Sequence, residues 1–407
     1  MSNGVKNMIL RHRGLISYTV LNYIDKAVTF VVPLIVLYLF GNRALYNEVE
    51  YIFSIGAVAA VLIDLGVSSY FLYAYRSADD KVALVNQVEA HFHLLFVLWS
   101  GIGLLLLIAS MILDVQSPEL LLFVVIRSLG LFLVSFYANY FRLSDVPARI
   151  FGLTLLVNLT TILILVLVAT SASRLHLWHF FLAQALLVGG AIIHVFRSHR
   201  RTTIPRLMEY LRGALVYAWP VVLNVFVFMF VNNYGKVYAR NALSEGEMFH
   251  ISFVQRLCLI IQLAHSSSVA YLTKRVFDDE SGRINPRVFL LYLLMLGSGL
   301  VLLAIAFEVV REFSATADLP IDWLTICLVG YTILWCLGAF FEMYLNRMNQ
   351  NRYVLLFGLV TGLSFFVILE SLPFEPLVNI AGAMCISMAL NVVLILYFLF
   401  RRGVVGA

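Results

Sequence analysis

The chain has 407 residues, of which 62% are hydrophobic and 13% charged, with a mean hydropathy of +0.92. A water-soluble domain, in which about a quarter of residues are charged, is excluded, and the composition points to an all-α polytopic membrane protein. The net charge of +5 comes from basic residues scattered among short loops, so it carries no nucleic-acid message.

The first apolar run, about 15–40, is too long for a signal-peptide core and has no small-residue cleavage pattern after it. It is therefore expected to remain as an anchor. Inside it Asn22, Asp25, Lys26, Thr29 and Pro33 fall at i, i+3, i+4, i+7 and i+11, one face of a helix. An ionised side chain in mid-bilayer costs several kcal/mol unless it faces protein or water, so this stripe is expected to face a wet interior.

Eleven further spans are predicted near 50–75, 89–113, 118–140, 149–171, 176–196, 214–239, 248–273, 288–310, 321–345, 353–370 and 377–400. With the N-terminus inside, 20 of the 28 Lys and Arg residues fall on the cytoplasmic side and five on the outer side. The positive-inside rule then puts both termini in the cytoplasm.

The hydrophilic stretch from Arg197 to Gly213 divides the spans into two groups of six. Ala44-Leu45, Tyr51 and Ser54 match Ala242-Leu243, Phe249 and Ser252 at a constant offset, and 140–149 resembles 344–352. A duplicated six-helix unit is expected: an N-terminal lobe over 1–200, a cytoplasmic interfacial linker helix over 201–213 and a C-terminal lobe over 214–407. An even helix number gives both copies the same orientation, with a cleft between them. The linker reading rests on Pro205 at a helix start, Leu207 and Leu211 on one face, and Arg206 and Arg212 directed at headgroups.

Deep polar residues recur beyond the first span. Asp64 stands four before Ser68, and Arg127 neighbours Ser128, Ser135 and Asn139. Asn224, Asn232 and Lys236 share a side of the seventh span. Ser252, Gln255, Arg256, Gln262 and His265 lie on the eighth, and Tyr331, Trp335, Gly338 and Glu342 form a stripe on the tenth. For the hydroxyls and amides, a structural interhelical hydrogen bond competes with any functional role. For Asp25, Lys26, Asp64, Arg127 and Arg256 the cost of charge at depth favours function, a salt bridge being the structural competitor. Lys236 and Glu342 lie near predicted helix ends and are expected to snorkel to the interface.

Three deep cations against two carboxylates suit an anionic substrate group such as a phosphate or pyrophosphate. Asp64 has no partner in its own helix and is the better proton- or sodium-responsive group, with Asp25 second. Cys258, Cys327, Cys336 and Cys385 show no paired spacing, His91 and His93 occupy different helix faces, and no Walker loop is present. No nucleophile–His–acid set stands out in an outer loop, so neither an enzyme nor a metal site is expected.

The run from Asn22 through Pro33 to Gly41, then Tyr51 and Leu62-Ile63-Asp64-Leu65-Gly66, resembles the opening of the Wzx-type polysaccharide (O-antigen) flippases. These belong to the multidrug/oligosaccharidyl-lipid/polysaccharide (MOP) exporter superfamily. Asn232-Asn233-Tyr234 through Ser252-Phe253-Val254-Gln255-Arg256 resembles the start of that family's second lobe, and 346–353 its inner loop after helix ten. The chain departs from the pattern at Glu50, where glycine is frequent, and at Leu272, where a proline is expected.

The resemblance implies movement of an undecaprenyl-pyrophosphate-linked oligosaccharide from the cytoplasmic to the periplasmic leaflet of the bacterial inner membrane. It also implies alternating access, coupling to an H+ or Na+ gradient and no bound cofactor. Lys26, Arg127, Arg256, Asn22, Asn224 and Asn232 would hold headgroup and sugar, and Asp64 and Asp25 the coupling ion. The implied partners are membrane lipids, a polysaccharide polymerase and a chain-length regulator. The rivals are a cation-coupled multidrug exporter, which would prefer acidic and aromatic linings, and a membrane-embedded polymerase or ligase, which would need a larger outer loop.

Overall fold

The computed structural model describes residues 13–67, 70–71, 74–75, 79–113, 117–143, 148–171, 174–197, 204–239, 242–278, 283–313, 322–348 and 350–404. Within them the chain forms long α-helices in the order α1 (Arg13–Phe40), α2 (Arg43–Asp64), α3 (Lys81–Leu113), α4 (Pro118–Leu143), α5 (Ala148–Thr170) and α6 (Leu177–Arg197). They continue as α7 (Ile204–Asn233), α8 (Glu245–Asp278), α9 (Pro286–Phe313), α10 (Trp323–Arg347), α11 (Asn351–Ser371) and α12 (Pro376–Arg401), with a π-helical turn, Tyr234–Tyr238, after α7. Among the described residues eleven helices are long and apolar enough to cross a membrane, and α1 adds a shorter apolar run, Ala27–Phe40. A multi-pass membrane protein follows. The exposed side chains agree: Leu105, Ile112 and Leu163 on outward faces suit hydrocarbon, not water.

The helix starts follow from sequence. Asn42 and Asp322 accept the Leu45 and Thr325 amides at 2.9 Å, capping α2 and α10. Ser244 and Glu247 form a reciprocal capping box at α8, the Ser244 amide donating to Glu247 at 2.8 Å and the Glu247 amide to Ser244 Oγ at 3.3 Å. Pro118, Pro286 and Pro376 open α4, α9 and α12, where a missing N–H costs nothing. The expected second span, 50–75, divides instead: α2 stops at Asp64, because Leu65 (φ 47) and Gly66 (φ 73) turn left-handed.

The chain forms two compact units, residues 1–219 and 220–407. The expected linker, 201–213, is from Ile204 onward the first turns of the continuous helix α7, within the first unit. Pro220 lies in α7 where the chain passes from one unit to the other.

In the first unit α2 packs on α1 and α4, α1 on α5, α4 on α3, α5 and α6, and α5 on α6. Its core is aromatic: Phe92 stacks on Phe136 at 3.9 Å between ring centroids, and Phe71, Phe96 and Phe132 close around them. The early turns of α7 complete this core through buried Tyr210 and Ala214, and Tyr210 Oη donates to the Val67 carbonyl just beyond the Leu65–Gly66 break.

In the second unit α8 packs on α9 and α10, α10 on α11 and α12, and α11 on α12. Four of these pairings repeat those of the first unit six helices later. Buried polar side chains tie these helices together. Asn391 donates to Thr361 Oγ1 at 2.8 Å, and Tyr292 donates to the Cys336 carbonyl at 2.7 Å. The proton of Tyr292 is thereby committed, so at the 2.8 Å contact with His265 Nδ1 the histidine must be the donor.

Candidate functional site

The second unit holds a cavity of about 190 Å³ lined from four helices. Asn224, Val225, Phe228, Met229 and Asn232 come from α7, Gln262 from α8, Tyr331, Trp335, Ala339 and Glu342 from α10, and Met388 from α12. The spacing explains the gathering. Asn224, Phe228 and Asn232 are each four apart on α7, and Tyr331, Trp335, Ala339 and Glu342 follow the i, i+4, i+8, i+11 stripe of α10.

The α7 wall is held by close helix packing. Gly358 and Gly362, four apart on α11, let α7 approach: a Cβ on Gly358 would overlap Asn224 Oδ1, and one on Gly362 would lie 2.7 Å from Val227 Cγ1. Phe230 against Phe366 and Tyr234 against Phe365 extend the same seam. At the other end of the wall Gln255 donates its side-chain amide to the Asn232 carbonyl at 3.0 Å. Trp335 is backed by His265, ring centroids 5.5 Å apart, so the His265–Tyr292–Cys336 chain of hydrogen bonds fixes the indole from behind.

Two polar atoms of this lining are buried without a protein partner, Asn224 Oδ1 and Tyr331 Oη. Each such atom costs about 1–3 kcal/mol. The Asn224 amide hydrogen-bonds the Glu342 carboxylate. Among the described residues, no cationic side chain lines the cavity.

Glu342 therefore does not snorkel as expected: an amide on the neighbouring helix and the aromatic stripe hold it inside the unit. Lys236 also departs from expectation. It lies in the π-helical turn after α7 and is only 8% exposed. Glu50, whose presence departs from the family pattern, is 2% exposed on α2. With Glu50, Lys236 and Glu342 added, the deep cations no longer outnumber the carboxylates.

Of the residues singled out from sequence, the structure brings Asn224 and Asn232 together in the cavity. Gln262, Tyr331, Trp335 and Glu342, noted only as polar or aromatic stripes, complete it. Arg256, on α8, is 6% exposed and does not line the cavity. Arg127 belongs to the first unit, with its guanidinium 4.0 Å over the Phe53 ring and its stem against Gly56. Asp25 is buried at 3% exposure on α1, and Asp64 is the last residue of α2. Asn22 and Lys26 lie on α1, but their side chains fall outside the described residues, as do Ser68 and the side chain of Asn139.

Thr29 of the first polar stripe is engaged structurally. It accepts from the Asn158 amide at 2.8 Å and donates to the Asp25 carbonyl at 2.8 Å, pinning α1 to α5. The Gly358–Gly362 pair was the signal in the sequence that sequence reasoning passed over.

The Arg127 contact carries a prediction. A Cβ on Gly56 would lie 2.5 Å from Arg127 Cγ and 2.9 Å from its Cβ, atoms close to the backbone that have little room to yield. Gly56→Ala is expected to destabilise the first unit by about 1–3 kcal/mol. Thermal unfolding in detergent would register a lowered midpoint, and an unchanged midpoint would contradict the packing.

No protein-family profile and no curated protein sequence matches this chain. Among solved structures it is similar to the lipid II flippase MurJ in its inward closed conformation, with TM-score 0.61, 16% identity, and 96% of this chain and 88% of that one covered. It is also similar to an inward-facing multidrug resistance MATE family transporter of the MOP superfamily, with TM-score 0.56, 12% identity and 94% of each chain covered. A third is the eukaryotic MATE transporter AtDTX14, with TM-score 0.55, 12% identity, and 97% of this chain and 95% of that one covered. The chain thus has the fold shared by this lipid II flippase and by MATE transporters of the MOP superfamily.

Proposed function

We propose that the protein is a membrane transporter that moves an undecaprenyl-pyrophosphate-linked oligosaccharide from the cytoplasmic to the periplasmic leaflet of a bacterial inner membrane. It works by alternating access coupled to an H+ or Na+ gradient. The observation that carries this reading is Arg256, a guanidinium 6% exposed well inside a membrane-spanning helix. Charge at that depth is costly, and a guanidinium fork suits the oxygens of a pyrophosphate. Arg127 supports it: stacking on Phe53 occupies the face of its guanidinium, and phosphate is gripped by the N–H edge.

In this reading Lys26, Arg127 and Arg256 engage the anionic headgroup and Asn22, Asn224 and Asn232 the sugars. Asp64 and Asp25 respond to the coupling ion, and the polymerase and chain-length regulator of the glycan pathway act next. The direct test is purified protein in proteoliposomes with a fluorescent lipid-linked oligosaccharide, scoring its movement by quenching from one side. Absence of movement under every imposed gradient would reject the assignment.

The coupling role is separable. Asp64→Asn is expected to leave movement independent of the pH or sodium gradient, removing the roughly tenfold stimulation that a driving force of about 1.4 kcal/mol supplies. Wild-type gradient dependence in that variant would exclude Asp64.

A second reading is favoured by one observation, the Glu342 carboxylate beside Tyr331 and Trp335 in a cavity without cations. An acidic, aromatic lining suits an organic cation, as a multidrug exporter of the same fold would need. Export of tetraphenylphosphonium that Glu342→Gln abolishes would establish it, and its absence together with oligosaccharide movement would favour the flippase.

A further inference from the structure

We propose that the cavity of the second unit is a carbohydrate subsite that seats a hexopyranose ring, with Trp335 as its stacking wall. Asn224, Asn232, Gln262, Tyr331 and Glu342 read its hydroxyls. The inference rests on the flippase reading and deepens it by naming the part of the substrate that this unit holds.

A pyranose has two apolar C–H faces and a rim of hydroxyls, each both donor and acceptor. The lining matches both halves. The indole of Trp335 is a flat wall held rigid from behind by His265 at 5.5 Å, and Phe228, Met229 and Met388 continue the apolar surface. The rim is met by three side-chain amides, each of which donates and accepts at once, and by a carboxylate that accepts hydroxyl protons. Tyr331 Oη, buried and without a protein partner, supplies a donor still to be matched. At about 190 Å³ the cavity far exceeds the roughly 10–15 Å³ that a single water requires, so it admits a larger guest than a water or an ion.

Two other occupants fit less well. A phosphate is disfavoured because, among the described residues, no cationic side chain lines the cavity. A single metal cation would use only one end of it: Asn224 and Asn232 stand about 12 Å apart along α7 at 1.5 Å per residue. Oxygen ligands must lie within about 2.6 Å of the ion. An organic cation would use the carboxylate and the rings but would leave the Asn232 and Gln262 amides without a task.

The test is saturation-transfer-difference NMR on the purified full-length protein. The probes are methyl α-D-glucopyranoside, methyl α-D-galactopyranoside and methyl N-acetyl-β-D-glucosaminide. Ring protons of at least one glycoside are expected to receive saturation. Trp335→Ala and Gln262→Ala are expected to weaken that signal at least tenfold, while Trp335→Phe, which keeps a stacking face, retains most of it. Silence from all three glycosides, an undiminished signal in Trp335→Ala, or displacement of tetraphenylphosphonium but of no glycoside would overturn the proposal.

A second arm separates it from the flippase reading. Undecaprenyl pyrophosphate with and without its oligosaccharide is offered to Trp335→Ala in proteoliposomes. Selective loss of the glycosylated lipid supports the subsite, whereas equal wild-type rates for both lipids remove it and leave the flippase standing. Glycoside binding by a protein that moves no lipid-linked substrate keeps the subsite and removes the flippase.

Discussion

Arg256→Ala is expected to lower the movement of lipid-linked oligosaccharide in proteoliposomes by at least about 100-fold, with Arg256→Lys recovering part of the loss. The side chain is 6% exposed on α8, with Leu257 at 1% and Cys258 at 1% beside it. Removing one partner of a desolvated, hydrogen-bonded charge pair costs about 2–5 kcal/mol, and 100-fold corresponds to about 2.8 kcal/mol. Lysine restores the charge as a point but not the planar fork, so its recovery should be incomplete. In cells the same variant should lose surface polysaccharide while lipid-linked precursor accumulates. A purely structural salt bridge would behave differently: alanine would lower the thermal midpoint, and movement would fall only in proportion to folded protein. Measuring both on one preparation separates the two roles, and wild-type movement by Arg256→Ala would refute the headgroup assignment.

Gly358→Ala should be the most damaging small substitution in the second unit. The added methyl would occupy the place of Asn224 Oδ1, so either α7 and α11 separate or Asn224 leaves its seat. Overpacking of this kind costs about 1–3 kcal/mol. It also withdraws the amide that hydrogen-bonds Glu342, so the consequence reaches the cavity as well as the fold. A double variant divides these effects. Gly358→Ala with Asn224→Ala removes the collision and should regain most of the lost thermal stability, a coupling read from the mutant cycle. It should not regain glycoside binding, because the amide is gone. Additive losses in the two single variants would mean that Gly358 and Asn224 do not meet.

Much of this architecture was legible because the bilayer is a severe solvent. Helices must close every backbone hydrogen bond internally, so long apolar runs can take one form, and twelve predicted runs became twelve helices among the described residues. Caps such as Asn42, Asp322 and the Ser244–Glu247 box, together with Pro118, Pro286 and Pro376, mark helix starts by local chemistry that needs no tertiary context. The hydrophilic interval 197–213 separates the predicted runs, but the two compact units part at 219/220, inside α7. From residue 204 onward the interval belongs to α7, whose Tyr210 and Ala214 find an aromatic core to bury in.

What the sequence left undecided is which side chains meet, since helical periodicity orders one helix's faces but not the faces of its neighbours. Asn224, Gln262, Trp335 and Glu342 are four unremarkable polar or aromatic positions until α7, α8 and α10 pack around a shared space. Glu342 and Lys236 looked like interfacial residues by distance from a helix end. Tertiary contacts hold one in a cavity and the other in a buried π-turn. Thr29 looked like part of a wet stripe, and a single amide from α5 made it a structural contact. Membrane class and helix count were thus determined by the sequence alone, because they depend on hydrophobicity and local hydrogen bonding. The stop of α2 at Asp64 and the start of α7 at Ile204, by contrast, departed from the expected spans. The membership of the cavity was decided only by the tertiary structure, because close packing at Gly358 and Gly362 sets which faces can approach.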